Sequence, residues 1–168
     1  EYYGRKFTYA DFIVNVKKTA AALRAAGLKK GDIATVISVM TPEIIFAFYA
    51  ADMIGATLNL VDPRYSVEGI REYIEEVDSH LLICLNVVYE RCHQAAKRTH
   101  VEHVVVLSPA DSLADRQWAL RNNGRIRRTE SRLNLDSLDH MYVHKDDGGD
   151  VDAVALPPVG PGNYDKIN

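Results

Sequence analysis

Between Thr41 and Ser66 the chain reads TPEIIFAFYAADMIGATLNLVDPRYS, and no other stretch restricts its fold as tightly. Thr41 stands where a helix N-cap belongs. Pro42 suits the first helical position, where its missing N–H would have no partner, and Glu43 favours the positive end of the helix dipole. Ile44 to Met53 is almost wholly apolar, which predicts a helix covered on more than one side. Gly55 ends it by supplying a left-handed backbone that side chains resist. Ala56 to Val61 is short and apolar, with Asp62-Pro63 turning the chain directly after it, and is expected as an interior strand. A helix–glycine–strand unit of this kind occurs in every α/β fold, so it indicates class and not function.

The flanking sequence repeats the unit. Thr8 is placed to cap a helix running to Leu28, with Phe7 and Phe12 at the positions of a hydrophobic staple. Phe12, Val16, Ala20 and Leu23 recur at helical spacing as one apolar stripe, and Gly27 with Leu28 reads as a Schellman ending. Ile33 to Val39 is apolar on both faces, as in an interior parallel strand. Ser66 caps the next helix, whose inner face is Ile70, Tyr73, Ile74 and Val77. His80–Leu85 is a third strand, Tyr89–Thr99 a more polar helix, and Val104–Leu107 a fourth strand ending at Ser108-Pro109. Strands alternating with helices imply right-handed crossovers and a three-layer α/β domain, a parallel sheet with helices on both faces.

Beyond Pro109 the pattern weakens. Ala110–Leu120 reads as a short helix, Asn122-Asn123-Gly124 as a turn, and Arg116, Arg121, Arg125, Arg127, Arg128 and Arg132 as a basic, solvated loop without the aromatic interleaving of a nucleic-acid site. Leu133–Val143 is expected to pack back on the domain, residues 146–150 are acidic and glycine-rich, and Ala153–Leu156 is expected as a last strand. The organisation is therefore an α/β unit over 1–108, an irregular connecting segment over 109–150, and a final strand and tail over 151–168.

With 168 residues, 47% of them hydrophobic, and a formal net charge of -3, the chain has material for a real core and no global attraction to nucleic acid or acidic membranes. Its two cysteines, Cys84 and Cys92, are too few for a disulfide framework and read as reduced thiols of a cytoplasmic protein. No segment has the order of a signal peptide. Asp52, Gly55 and Asn59 interrupt the one run long enough to suggest a membrane span. Opening at Glu1 inside patterned sequence, the chain reads as a piece of something longer.

Few residues suggest chemistry. Cys92, His93, His100 and His103 straddle a helix, a turn and a strand start without zinc-ligand spacing, so no metal site is expected. No serine sits in a nucleophile elbow. Val39-Met40-Thr41-Pro42-Glu43 follows the first strand where a dinucleotide fold would carry G-x-G-x-x-G. No catalytic residue is assigned.

Phe7-Thr8-Tyr9-Ala10-Asp11-Phe12, the alanine-rich helix to Leu23, and Gly27-Leu28-Lys29-Lys30-Gly31-Asp32 together resemble the opening of the adenylate-forming ligases. These include acyl-CoA synthetases, 4-coumarate–CoA ligases, luciferases and peptide-synthetase adenylation domains. Thr41-Pro42-Glu43 resembles their next turn, and Gly55-Ala56 through Val61-Asp62-Pro63 resembles their A-G-A-x-x-x-P-L-D-P block. The resemblance extends from Phe7 to Leu107. It implies a parent enzyme that joins a small carboxylic acid to ATP with magnesium, releases pyrophosphate, and passes the acyl-adenylate to coenzyme A. The rest of the ligase chain would be this segment's partner. The family's phosphate loop reads roughly S-G-T-T-G-x-P-K. Here Ala153–Pro157 resembles the strand that leads into it, and Gly160 and Lys166 keep the separation of the family's first glycine and its lysine. Gly160, Gly162 and Lys166 are thus weak nucleotide-binding candidates. The loop hydroxyls are missing, and Pro161 removes an N–H donor. The family's catalytic lysine, adenine motifs and carboxylate pocket come from later sequence, so the chain alone is expected to be inactive. A peptide-synthetase adenylation fragment and a non-catalytic doubly wound binding module are the alternatives.

Overall fold

The computed structural model describes residues 1–109, 112–113, 142–145 and 153–155. Helix α1 spans Tyr9–Ala25. Thr8 and Asp11 close a capping box at its start, with Asp11 N–H donating to Thr8 Oγ1 at 3.1 Å and Thr8 N–H donating to Asp11 Oδ2 at 3.0 Å. At its end Gly27 adopts φ 97°, Leu28 N–H donates to Leu23 O and Gly27 N–H to Arg24 O, which is the expected Schellman ending. The staple residues Phe7 and Phe12 both set their rings against Phe46 of helix α2, Pro42–Ile54.

Strands β1 (Ile33–Ile37), β2 (Thr57–Val61), β3 (Leu81–Leu85) and β4 (His103–Leu107) are parallel, as their sequences lead one to expect. Helices α3 (Val67–Glu76, capped by Ser66) and α4 (Tyr89–Ala96, entered through a 3-10 turn) complete the crossovers. Two further strands, β5 (Tyr142–Lys145) and β6 (Ala153–Ala155), join antiparallel to their neighbours, giving the order β2-β1-β3-β4-β5-β6. The tail of the stretch expected to pack back and the expected last strand thus extend the same sheet. The expected helix over 110–120 and the arginines of 116–132 lie outside the described residues.

The chain moves one way across the sheet from β1 to β2, then reverses over β1 to reach β3 and β4. Right-handed crossovers in opposite directions put their helices on opposite faces. Accordingly, α1 and α2 cover one face with Val16, Leu23, Ala47 and Ala50 against Ala34, Val36, Ile83 and Val105. On the other face α3 and α4 bring Ile70, Ile74, Cys92 and Ala95 against Ile37, Leu82, Cys84 and Val104. Each fully buried leucine or isoleucine contributes about 1.5–3 kcal/mol. Cys84 and Cys92 are free thiols touching across the β3–α4 contact, and that contact together with burial pushes the Cys84 thiol well up.

One expectation fails. Ala56–Val61 reads as an interior strand, yet β2 stands at the end of the sheet, and Leu60 is 58% exposed. Its edge away from β1 pairs with no described strand.

Candidate functional site

The reversal between β1 and β3 has a geometric consequence. Where neighbouring parallel strands send their loops to opposite faces, a crevice opens at their carboxyl ends. Beyond β1 the chain presents Val39 and Met40, 55% and 75% exposed, and then sinks into Thr41 and Glu43, both buried. Thr41 Oγ1 makes no hydrogen bond among the described residues, although Thr41 holds the N-cap position. Beside Glu43 lies Tyr2, whose phenol is raised above its ordinary value first by burial and then by the Glu43 charge. Beyond β3 and β4, Asn86 and Ser108 are buried, and Asn86 Nδ2 donates to Ser108 Oγ at 3.3 Å. The register pairing Leu85 with Leu107 brings these two together. Neither was singled out from sequence; the available signal was a polar residue directly after an apolar strand.

Arg64 and Arg91, near this edge, are both engaged. Arg64 forks onto Asp62, with Nη2 2.6 Å and Nε 2.9 Å from its carboxylate, and holds that carboxyl down at about 2. Arg91 Nη1 donates to the carbonyls of Pro63 and Tyr65 at 2.6 and 3.2 Å. A nucleotide triphosphate requires several donors and positive groups around its oxygens. The described residues of the edge supply buried hydroxyl and amide groups with a carboxylate and do not fit that group on their own. Gly160, Gly162 and Lys166 lie outside the described residues. Strand β6, which precedes them in sequence, runs in the same direction as β1–β4 and therefore ends on this edge.

At the opposite, amino-terminal edge an open depression of about 660 Å³ is lined by Asp78, His80, Thr99, His100, Val101, Glu102 and His103. His100 Nδ1 and Asp78 Oδ1 are 2.6 Å apart, and the His80 ring stacks on His100 with centroids 6.0 Å apart. Of the histidines and cysteine weighed as ligands, Cys92 is in the core and His93 stacks on Tyr89, while His100, held by Asp78, and His103 both line this depression. Among the described residues no three such side chains are placed to hold a metal ion, and no helix is long and apolar enough to cross a membrane.

Comparison with known proteins identifies the setting of this fold. The chain is 34% identical over 80 residues to an acetyl-coenzyme A synthetase of Penicillium chrysogenum, a match covering 48% of this chain and 12% of that protein. It is 27% identical over 151 residues to a probable 4-coumarate–CoA ligase 1 of Dictyostelium discoideum, covering 88% of this chain and 27% of the other. It thus spans about a quarter or less of the length of these relatives. Among solved structures, coronafacic acid ligase from Pectobacterium brasiliense superposes with a TM-score of 0.59 at 19% identity, over 64% of this chain and 22% of that one, a likeness of fold. The family model of the AMP-binding enzymes matches residues 1–146, and the chain belongs to that family.

Proposed function

We propose that this chain is the N-terminal, scaffolding part of an ATP-dependent carboxylic acid–CoA ligase, one that forms an acyl-adenylate and then a thioester, and that it does not adenylate an acid by itself. The observation that carries the reading is the match over 88% of the chain to a protein named as a 4-coumarate–CoA ligase. A second relative, named as an acetyl-coenzyme A synthetase, keeps the thiol and changes the acid. The common chemistry is therefore acid to CoA thioester, with the acid set elsewhere in the parent. ATP, magnesium and CoA belong to that parent, which we place in the cytoplasm, and its remaining chain is the partner of this segment. The unit over 1–108 is its scaffold, 109–150 an irregular connection, and 151–168 a last strand and tail.

The inactivity of the isolated chain follows from donor chemistry. Adenylation requires charge stabilisation at the α-phosphate and a held carboxylate, and preorganised electrostatics supplies the largest share of such catalysis. At the carboxyl edge Arg64 and Arg91 are already committed to Asp62 and to backbone carbonyls. Gly160, Gly162 and Lys166 bring one cation and no hydroxyls, enough for weak ATP affinity and not for turnover. The test is pyrophosphate exchange with acetate, fatty, aromatic and amino acids. The isolated chain is expected to show none above background; acid-dependent exchange would overturn its inactivity. Exchange confined to amino acids in a longer protein carrying this segment would turn the reading toward a peptide-synthetase domain.

A further inference from the structure

Cys84 and Cys92 are the two cysteines of the chain, and the ligase chemistry gives them no task. Cys84 stands on β3 and Cys92 on α4, both at 0% exposure in the same core layer between the sheet and its α3–α4 face. Their thiols touch, and that contact and then burial push the Cys84 thiol well up. A thiol reacts as its thiolate, so the packed pair is inert until the layer opens.

The two elements are unequally held. Strand β3 is paired on both sides, to β1 and to β4. Helix α4 has eight residues, Val88 gives its start no side-chain cap, and Lys97 stands at its end in place of a glycine. A short helix without caps belongs to the low end of local stability and opens first. Helix α4 also carries an anchor on its outer side. Arg91, the residue before Cys92, donates to the carbonyls of Pro63 and Tyr65 at 2.6 and 3.2 Å and so holds the turn after β2.

We propose that Cys84 and Cys92 close a reversible disulfide under oxidising conditions, and that its closure shifts α4 and the hold of Arg91 on the Pro63–Tyr65 turn. The oxidant is a small disulfide such as oxidised glutathione. When α4 opens, the Cys92 thiolate attacks one sulfur of the oxidant, whose sulfur–sulfur bond breaks to release one glutathione thiolate and leave a mixed disulfide. The Cys84 thiolate then attacks the Cys92 sulfur, forming the protein disulfide and releasing the second glutathione. The protein gives up two electrons and two protons, and both appear in two glutathione thiols. Only residues 85–91 separate the cysteines, so the second thiol is present at high effective concentration and the mixed disulfide resolves within the chain. Bonded sulfurs stand far closer than touching thiols. With β3 fixed in the sheet, α4 makes the approach and carries Arg91 with it. The proposal does not depend on the ligase reading.

The 168-residue chain, reduced, labelled with nitrogen-15 and kept under native conditions, is treated with oxidised glutathione. Its mass should fall by about 2 Da as two hydrogens leave, and dithiothreitol should restore it. Trypsin, which cuts after Arg91, should leave the two cysteine peptides of one chain joined until reductant is added. The backbone amide signals of Arg64 and Tyr65 should move on oxidation and return on reduction. In Arg91→Gln the disulfide should still form, while the turn no longer responds to it. A native chain that keeps its full mass, a glutathione adduct that does not resolve, or a disulfide joining two copies would each overturn the proposal. So would a Cys84–Cys92 disulfide that leaves the turn signals in place, or a response of the turn that survives in Arg91→Gln.

Discussion

His100 closes on Asp78 across the amino-terminal edge of the sheet, Nδ1 to Oδ1 at 2.6 Å, tying the turn before β3 to the turn before β4. His80 stacks on the same imidazole and approaches Asp78 at 3.9 Å and Glu102 at 4.0 Å. Hydrogen bonding to Asp78 raises the His100 pKa above 6.5, with Glu75 adding a smaller push, and the same bond lowers that of Asp78 below 3.8. The raised histidine contributes stability that is complete below its unfolded value and is lost as pH rises through its folded value. The lowered carboxyl contributes above its unfolded value and is lost as pH falls through its folded value. The clamp is therefore fullest between about pH 4 and pH 6.5. An NMR titration of the imidazoles should give His100 a higher pKa than in Asp78→Asn; equal values would break the assignment.

Ser79 is a buried hydroxyl serving two strands. It accepts from Thr35 N–H at 2.9 Å and lies 2.8 Å from Leu81 O and 3.1 Å from Ile33 O as acceptors. Ser79→Ala leaves an interior N–H without its partner, and denaturant unfolding should register a loss of about 1–3 kcal/mol. Ser79→Thr, which keeps the hydroxyl, should recover part of it.

Gly55 sits at φ 83° between α2 and β2. A β-branched side chain there meets both a disfavoured backbone region and the Lys30 stem 3.0 Å from its Cβ. Gly55→Val is expected to cost about 1–3 kcal/mol, while Gly55→Asn, which tolerates left-handed backbone, costs less. An unchanged denaturation midpoint for the valine variant would reject this role.

Two threonines at N-caps should respond differently to loss of the hydroxyl. Thr8 bonds the first turn of α1, so Thr8→Ala should cost about 1 kcal/mol. Thr41 is buried, caps nothing with its side chain and has no hydrogen bond from its hydroxyl among the described residues. Thr41→Val, similar in shape, should be neutral or stabilising by up to about 1 kcal/mol. Calorimetric melting of the two variants side by side is the measurement.

The alternation of elements was legible because helix and strand periods are local properties. The capping box at Thr8, the glycine endings at Gly27 and Gly55 and the apolar runs of β1, β3 and β4 each read directly as structure. Strand order was not legible. Leu58 and Leu60 say that β2 has a covered face, while whether it has one neighbour or two depends on where the following crossover lands. The Asn86–Ser108 contact was hidden for the same reason, since it exists only through the β3–β4 register. The family resemblance reached the fold and the family, and the residues proposed to bind nucleotide were left to a segment with little pattern of its own.

The order β2-β1-β3-β4-β5-β6 also describes a schedule of growth. Once β1, α2 and β2 are together, β3 adds on the free side of β1, and each later strand adds on the one made before it. A chain emerging from the ribosome N-terminus first can therefore lay down this sheet without inserting a strand between two already joined. The flank carrying β2 is finished earliest, and it waits longest with its backbone groups exposed while the other edge is still being built.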